Sequence, residues 1–97
     1  MNQADAATGF EVQLQSMQIT VRLFAILRDR AGVAEVALKL PTGASVADAI
    51  DAVFERYPVL RDPSAKAAFA VNRSYVKKDT PLADGDEVAI IPPVSGG

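Results

Sequence analysis

A chain of 97 residues, 49% of them hydrophobic, is long enough to form one domain around a single core. The sequence contains no cysteine and no histidine, which excludes disulfides, thiolate metal sites and a cysteine or histidine catalytic group among these residues. The net charge of −2 argues against a nucleic-acid-binding protein, because such proteins present a basic face. No signal-peptide pattern or membrane-length apolar stretch is present, which predicts a cytoplasmic protein with no membrane partner.

The first sixteen residues differ in composition from the rest of the chain. Residues 1–16 carry two acidic residues and no basic one, whereas all ten lysines and arginines lie in 17–97. We predict a flexible extension over 1–16, either natural or derived from cloning, followed by one domain over 17–97. Apolar residues alternate over 10–14, so a short additional edge strand is also consistent with the sequence.

Two predicted strands open the domain. Apolar and polar residues alternate over 19–23, and the apolar run over 24–27 is interpreted as a more deeply buried continuation of this strand. Residues 28–32 are polar, end in glycine and predict a turn. The alternation resumes over 36–40, which predicts a second strand and therefore a β-hairpin.

A helix follows the hairpin. Ser45 and Asp48 have the spacing of a capping box, which satisfies backbone N–H groups at the start of a helix. From Val46 to Tyr57, apolar residues recur with the period of one helix face. Pro58 predicts the end of the helix, because the residue before a proline is disfavoured in the helical conformation.

Three further strands are predicted after a loop over 58–66. They cover 69–71, 75–76 and 87–91, and the last is apolar enough to lie in the centre of a sheet. The order strand, strand, helix, strand, short strand, strand predicts an α+β fold of the β-grasp, or ubiquitin-like, arrangement. In this arrangement a mixed sheet of about five strands packs on one main helix.

The C-terminal segment is the most informative feature for function. Pro92 and Pro93 stiffen its base because each ring fixes φ, and Gly96 and Gly97 make its end thin and conformationally free. Six extended residues reach at most about 20 Å. The segment therefore predicts a body that presents its own terminal carboxylate to a narrow channel in a partner. An ordinary frayed terminus is the alternative interpretation.

With this element order and this tail, the chain resembles the small subunits of molybdopterin synthase, which are ubiquitin-like sulfur carriers of molybdenum cofactor synthesis. The resemblance covers 17–97. The matching segments are Val21-Arg22-Leu23-Phe24-Ala25, Ala70-Val71-Asn72, Asp84-Gly85-Asp86-Glu87-Val88-Ala89 and Pro92-Pro93-Val94-Ser95-Gly96-Gly97.

The resemblance implies a specific chemistry at the terminus. A carboxylate is ionised at neutral pH and is a poor electrophile, so it must be activated. An activating enzyme that uses ATP and Mg would adenylate Gly97, and sulfur from a donor would displace AMP to leave a thiocarboxylate. The sulfur would pass to cyclic pyranopterin monophosphate in the large synthase subunit and form the molybdopterin dithiolene. The implied synthase is a heterotetramer in which this chain binds no cofactor and has no autonomous activity.

The resemblance also assigns roles to individual tail residues. Gly97 carries the reacting carbon, and Gly96 threads the channel. Val94 and Ser95, which follow Pro92 and Pro93, are either a spacer or are recognised by the partner.

Three body residues match partner-contacting positions of the family. Phe24 and Ile91 match an apolar docking surface, although the sequence pattern alone favours a core location for both. Arg28 matches a position that contacts the activating enzyme, although a single arginine after a strand is ordinarily solvated.

Acidic residues over 79–87 do not have EF-hand spacing and predict turns, so no metal site is predicted. Two alternative functions remain open. One is a sulfur carrier for thiamine synthesis, cysteine synthesis or tRNA thiolation. The other is a protein modifier that forms isopeptide bonds with lysines.

Overall fold

The structure, a computed structural model, describes residues 16–93. The predicted extra strand over 10–14 and the tail residues 94–97 lie outside the described residues. The elements are β1 (Ser16–Leu23), α1 (Ala25–Ala31), β2 (Glu35–Pro41), α2 (Val46–Arg56), a 3₁₀ helix (Pro58–Leu60), β3 (Ala68–Val71), β4 (Ser74–Val76) and β5 (Glu87–Ile91). No helix among residues 16–93 is both long enough and apolar enough to cross a bilayer.

The five strands form one mixed sheet in the order β2-β1-β5-β3-β4. The central pair β1 and β5 is parallel, with Val21 opposite Val88, whereas the other neighbouring pairs are antiparallel. The predicted central position of the last strand is confirmed. The predicted β-grasp arrangement is also confirmed, since two antiparallel strands, a crossing helix and a mixed sheet follow in the expected order.

The main helix, α2, begins and ends where its sequence signals predict. The Ser45 backbone N–H donates to the Asp48 carboxylate at 2.8 Å, and the Asp48 N–H donates to Ser45 Oγ at 3.4 Å, which completes the capping box. The helix ends at Arg56, and Pro58 starts the 3₁₀ helix. The apolar face of α2 covers one face of the sheet and is buried there.

The connection between the first two strands is not the predicted one. The apolar run over 24–27 does not continue β1, and 28–32 is not a turn, because residues 25–31 form α1. Leu23 and Leu27 are both buried four residues apart, which suits a chain that leaves the sheet and returns to the core as a helix. Gly32 ends α1 in the left-handed conformation with φ 78°. Periodicity cannot separate a short buried helix from a strand, which explains the error.

One asparagine joins two of the segments that carry the family resemblance. Asn72 follows β3 in a left-handed conformation with φ 49°. Its side chain accepts a hydrogen bond from the Glu87 N–H at 3.0 Å and donates to Asp86 Oδ1 at 2.9 Å. The end of β3 is thereby tied to the start of β5. Asp86 Oδ2 accepts a hydrogen bond from the Ala83 N–H at 2.8 Å, which agrees with the turn role predicted for this acidic stretch, whereas Asp84 Oδ1 accepts one from the Gln18 N–H of β1 at 2.7 Å.

Candidate functional site

Within residues 16–93, no helix covers the face of the sheet opposite α2, which is called the open face below. Because side chains alternate across a strand, the neighbours of buried core residues point to this open face. The register sets one side chain from each of four strands in a row: Arg22 on β1 pairs with Ala89 on β5, Ala89 with Ala70 on β3, and Ala70 with Tyr75 on β4.

A shallow depression of about 350 Å³ lies along this row. Its central strands contribute small side chains, Ala89 and Ala70, while larger ones stand at its margins. Phe24 is 38% exposed at the β1 side and Tyr75 is 74% exposed at the β4 side. Its lining residues are Arg22, Phe24, Ala70, Arg73, Tyr75, Glu87, Ala89 and Ile91. Exposed aromatic groups beside a small-residue floor form a surface suited to receive another protein's apolar side chains.

Arg22 organises the charges beside the depression. Its Nη1 lies 3.3 Å from Glu35 Oε2 on β2 and 3.5 Å from Glu87 Oε2 on β5, so it bridges three neighbouring strands. Its guanidinium carbon lies 5.9 Å from the centre of the Phe24 ring. These groups are partly exposed, so the ion pairs stabilise the fold only weakly. Their main consequence is a restrained arginine beside an exposed aromatic ring.

The structure brings Phe24 and Ile91 together on the open face. Both line the depression. Phe24 follows Leu23 and Ile91 follows Ile90, and these two core residues are paired in the sheet. The core location favoured by the sequence pattern is therefore wrong for Phe24, which is exposed, while Ile91 is half-buried. Both positions follow from the alternation of strands whose other face is covered by α2.

The remaining predicted site residues lie in different places. Arg28 is exposed on α1 and does not line the depression. Pro92 is half-buried and Pro93 exposed, directly after β5 and next to Ile91. Val94, Ser95, Gly96 and Gly97 lie outside the described residues, so their predicted roles stay predictions. Ile91, which lines the depression, and the start of the C-terminal segment therefore lie at the same end of β5.

Sequence reasoning missed several residues of the depression. The sequence pattern predicts only a short strand at Tyr75, and only a strand and a matching family segment at Ala70. The alternation in β1 and β5 could have placed Arg22 and Ala89 on one face. Nothing local could have placed Ala70 and Tyr75 beside them, because that depends on how β3 and β4 pair with β5.

The open face offers groups that can form apolar contacts, ion pairs and hydrogen bonds. Alkyl, aromatic, guanidinium and carboxylate groups line the depression, with no thiol and no imidazole. Within residues 16–93, no cluster of three or more acidic side chains could hold a metal ion. The depression and Pro92 and Pro93, the first residues of the C-terminal segment, lie next to each other after β5.

Comparisons with known proteins identify relatives of this chain by sequence and by fold. The ThiS family model matches residues 21–97. The molybdopterin synthase sulfur carrier subunit of Chlamydomonas reinhardtii is 43% identical over 83 residues, which cover 84% of this chain and 100% of that relative.

Solved structures show the same fold. SAMP1, a small archaeal modifier protein from Haloferax volcanii, superimposes with a TM-score of 0.77 and 31% identity, covering 82% of this chain and 99% of that one. A chain from the complex of subunits 1 and 2 of the molybdopterin-converting factor of Helicobacter pylori matches with a TM-score of 0.61 and 27% identity, covering 84% of this chain and all of that chain. Matches of this extent in sequence and fold establish that the chain belongs to the ThiS family.

Proposed function

We propose that this protein is the sulfur-carrier small subunit of a molybdopterin synthase. The observation that carries the proposal is the combination of an exposed docking surface, containing Phe24 and Ile91, with a diglycine segment that begins directly after Ile91. The Chlamydomonas relative, which carries this function in its name, aligns along its whole length.

In this proposal the reaction occurs on Gly97. An activating enzyme that uses ATP and Mg transfers AMP to the Gly97 carboxylate and releases pyrophosphate, which converts a poor electrophile into a good one. Sulfur delivered at the oxidation level of sulfide attacks the acyl carbon, AMP leaves, and Gly97 carries a thiocarboxylate. This sulfur is then delivered to cyclic pyranopterin monophosphate, and two carriers in succession supply the dithiolene.

The body positions this chemistry without taking part in it. The large synthase subunit docks on the open face at Phe24 and Ile91, and the tail enters its active site beside that contact. Pro92 and Pro93 restrict the direction of the tail at its root. The acid and base groups belong to the partner. The Helicobacter pylori complex of subunits 1 and 2 supports such a partner. A heterotetramer of two copies of each subunit is the expected assembly.

The proposal includes a contact between Arg28 and the activating enzyme. Arg28 is exposed on α1, which follows Phe24 directly, so a partner that covers Phe24 can also reach α1. It also includes a cytoplasmic location, because a reducing compartment protects a thiocarboxylate from oxidation.

Mass spectrometry of the C-terminal peptide tests the proposal. We expect incubation with ATP, Mg, the activating enzyme and a sulfur source to raise the peptide mass by the difference between one sulfur and one oxygen. A variant lacking Gly97, and another with one residue added after it, serve as matched controls that keep the body unchanged. Both should fail to be loaded. Normal conversion of the precursor by the extended variant would disprove the proposal.

A modifier function is the second candidate, favoured by the similarity to SAMP1. A modifier would use the same adenylated glycine but pass its acyl group to lysine side chains. Expression of the tagged chain in cells separates the two functions. Co-purification of the large synthase subunit supports the carrier, whereas a ladder of covalent conjugates that requires Gly97 supports the modifier.

A further inference from the structure

The junction between β1 and α1 is a sharp, strained turn. Only Phe24 separates the last residue of the strand from the first residue of the helix. That first residue, Ala25, has φ 52°, which lies in the left-handed region. An L-alanine is unfavourable there because its Cβ crowds the following carbonyl oxygen.

Ala25 differs from the other non-glycine residues with positive φ in the described part of the chain. These are Asn72 and Arg73, which form the turn between β3 and β4. A two-residue hairpin turn of type I′ requires positive φ at both of its residues. Asn72 also belongs to a residue type that tolerates this conformation, and it makes two side-chain hydrogen bonds there. Ala25 is not in a hairpin turn. Ala25 has no side-chain polar group to compensate for the strain. Its conformation must be imposed by its surroundings.

Two core leucines impose it. Leu23 lies before the turn and Leu27 after it, and both side chains are buried. The Leu27 N–H donates to the Phe24 carbonyl at 3.0 Å and closes the turn between them. The chain must therefore reverse direction within the three residues that separate two fixed points of the core.

This reversal determines where Phe24 lies. Phe24 itself is extended, with φ −124° and ψ 155°, so its side chain continues the alternation of β1 and points to the open face, opposite Leu23. The chain then turns away into α1, and no further strand residue covers the ring. The ring is left 38% exposed, with the Arg22 guanidinium 5.9 Å from its centre.

The geometry points to Ala25 as a positioning residue, whose left-handed backbone holds the Phe24 ring on the docking surface. The identity of the partner that contacts this ring rests on the proposed function. The position of the ring is a property of the free chain and can be tested without a partner.

Nuclear magnetic resonance of the free protein provides the first test. The Phe24 ring should shift the resonances of the Arg22 side-chain protons, and Phe24→Ala defines the shift in the absence of the ring. We expect Ala25→Gly and Ala25→Asn to retain the ring-current shift, because both residue types accept positive φ. We expect Ala25→Val to lose most of it, because a β-branched residue is forced out of this region.

Gly43→Val is the matched control for strain. Gly43 has φ 95° and lies near the opposite end of the β1–β2 pair, and a Cβ built there meets nothing within 4 Å. This variant should lose stability through the same kind of backbone strain but keep the Arg22 shift. If Ala25 had only a structural role, Ala25→Val and Gly43→Val would both lose stability and both would keep the Arg22 shift.

Binding to the large subunit of molybdopterin synthase is the second test, with affinities calculated for the folded fraction. Ala25→Gly should bind within about twofold of the natural chain, and Ala25→Val at least about tenfold more weakly, a difference of about 1.4 kcal/mol.

Retention of both the Arg22 ring-current shift and the affinity in folded Ala25→Val would overturn the proposal. Loss of the Arg22 shift or of the affinity in Ala25→Gly would also overturn the proposal, even if Ala25→Val does not fold. Failure of the natural chain to bind would count against the proposed function alone, since the resonance test still decides the role of Ala25.

Discussion

The two faces of the sheet carry different kinds of residue, although the same strands supply both. On the face toward α2, the central strands place Val21, Leu23, Val88 and Ile90, all of them buried. On the open face, their sequence neighbours include the charged residues Arg22 and Glu87, the small residue Ala89, and the exposed ring of Phe24. One face therefore provides stability and the other is available for recognition. Adjacent residues of a strand point to opposite faces, so a shift of one position along the strand moves a side chain from the core to the recognition face.

Ile90 and Ile91 are the sharpest test of this comparison, because they are identical neighbours on opposite faces of β5. Ile90 is fully buried, with 0% of its surface exposed. We expect Ile90→Ala to lower the free energy of unfolding by about 2–5 kcal/mol, since it removes buried methyl groups and leaves a cavity. Urea denaturation of the free protein measures the loss. A loss below about 1 kcal/mol would contradict the assignment of this face as the core.

The Gly96→Ala variant tests whether the tail contributes to function without contributing to the stability of either face of the sheet. Gly96 lies beyond β5, the last strand of the fold, so the melting temperature should not change. In a narrow partner channel the added methyl group should clash or restrict the backbone. We expect adenylation or sulfur transfer to fall tenfold or more, equivalent to about 1.4 kcal/mol. Equal transfer rates for the variant and the natural chain would indicate a wider channel than we infer.

Ile91→Ala is the counterpart of Ile90→Ala on the open face. Because Ile91 is half-buried and lines the depression, its truncation should cost the free protein only about 1 kcal/mol. We expect binding to the large synthase subunit to weaken by about 1–2 kcal/mol. Calorimetric titration beside urea denaturation separates the two effects. A large loss of stability with unchanged affinity would show that Ile91 belongs functionally to the core.

Arg22→Ala should have the smallest effect on the fold. The ion pairs of Arg22 with Glu35 and Glu87 are partly exposed, so their loss should lower stability by less than about 1 kcal/mol. The difference should shrink in high salt, because exposed charges are screened. Thermal unfolding of Arg22→Ala and of the control Arg22→Lys at two salt concentrations measures it. A large, salt-independent loss would mean that the open face also supports the core.

Much of the fold could be predicted because its signals are local. The Ser45–Asp48 capping box and Pro58 predict the bounds of α2. Alternation predicts β2 and an apolar run predicts β5, and each of these signals depends on a few adjacent residues. The helix α1 could not be predicted. Its seven residues are too few for a clear period, and its one buried residue, Leu27, lies in a helix that contacts the distant 3₁₀ helix.

The candidate site divides in the same way. The sequence alone determined that a diglycine segment follows the last strand, because this is a matter of residue type and order. Only the tertiary structure decided that Phe24 and Ile91 are side by side on an open face, with Ala70 and Tyr75 completing the surface. The physical reason is that strand register joins segments far apart in the chain, and no local pattern encodes which of them will pair. Alternation sets the face on which Phe24 lies, whereas the turn at Ala25, with φ 52°, is a tertiary feature that the backbone preference of an alanine does not predict.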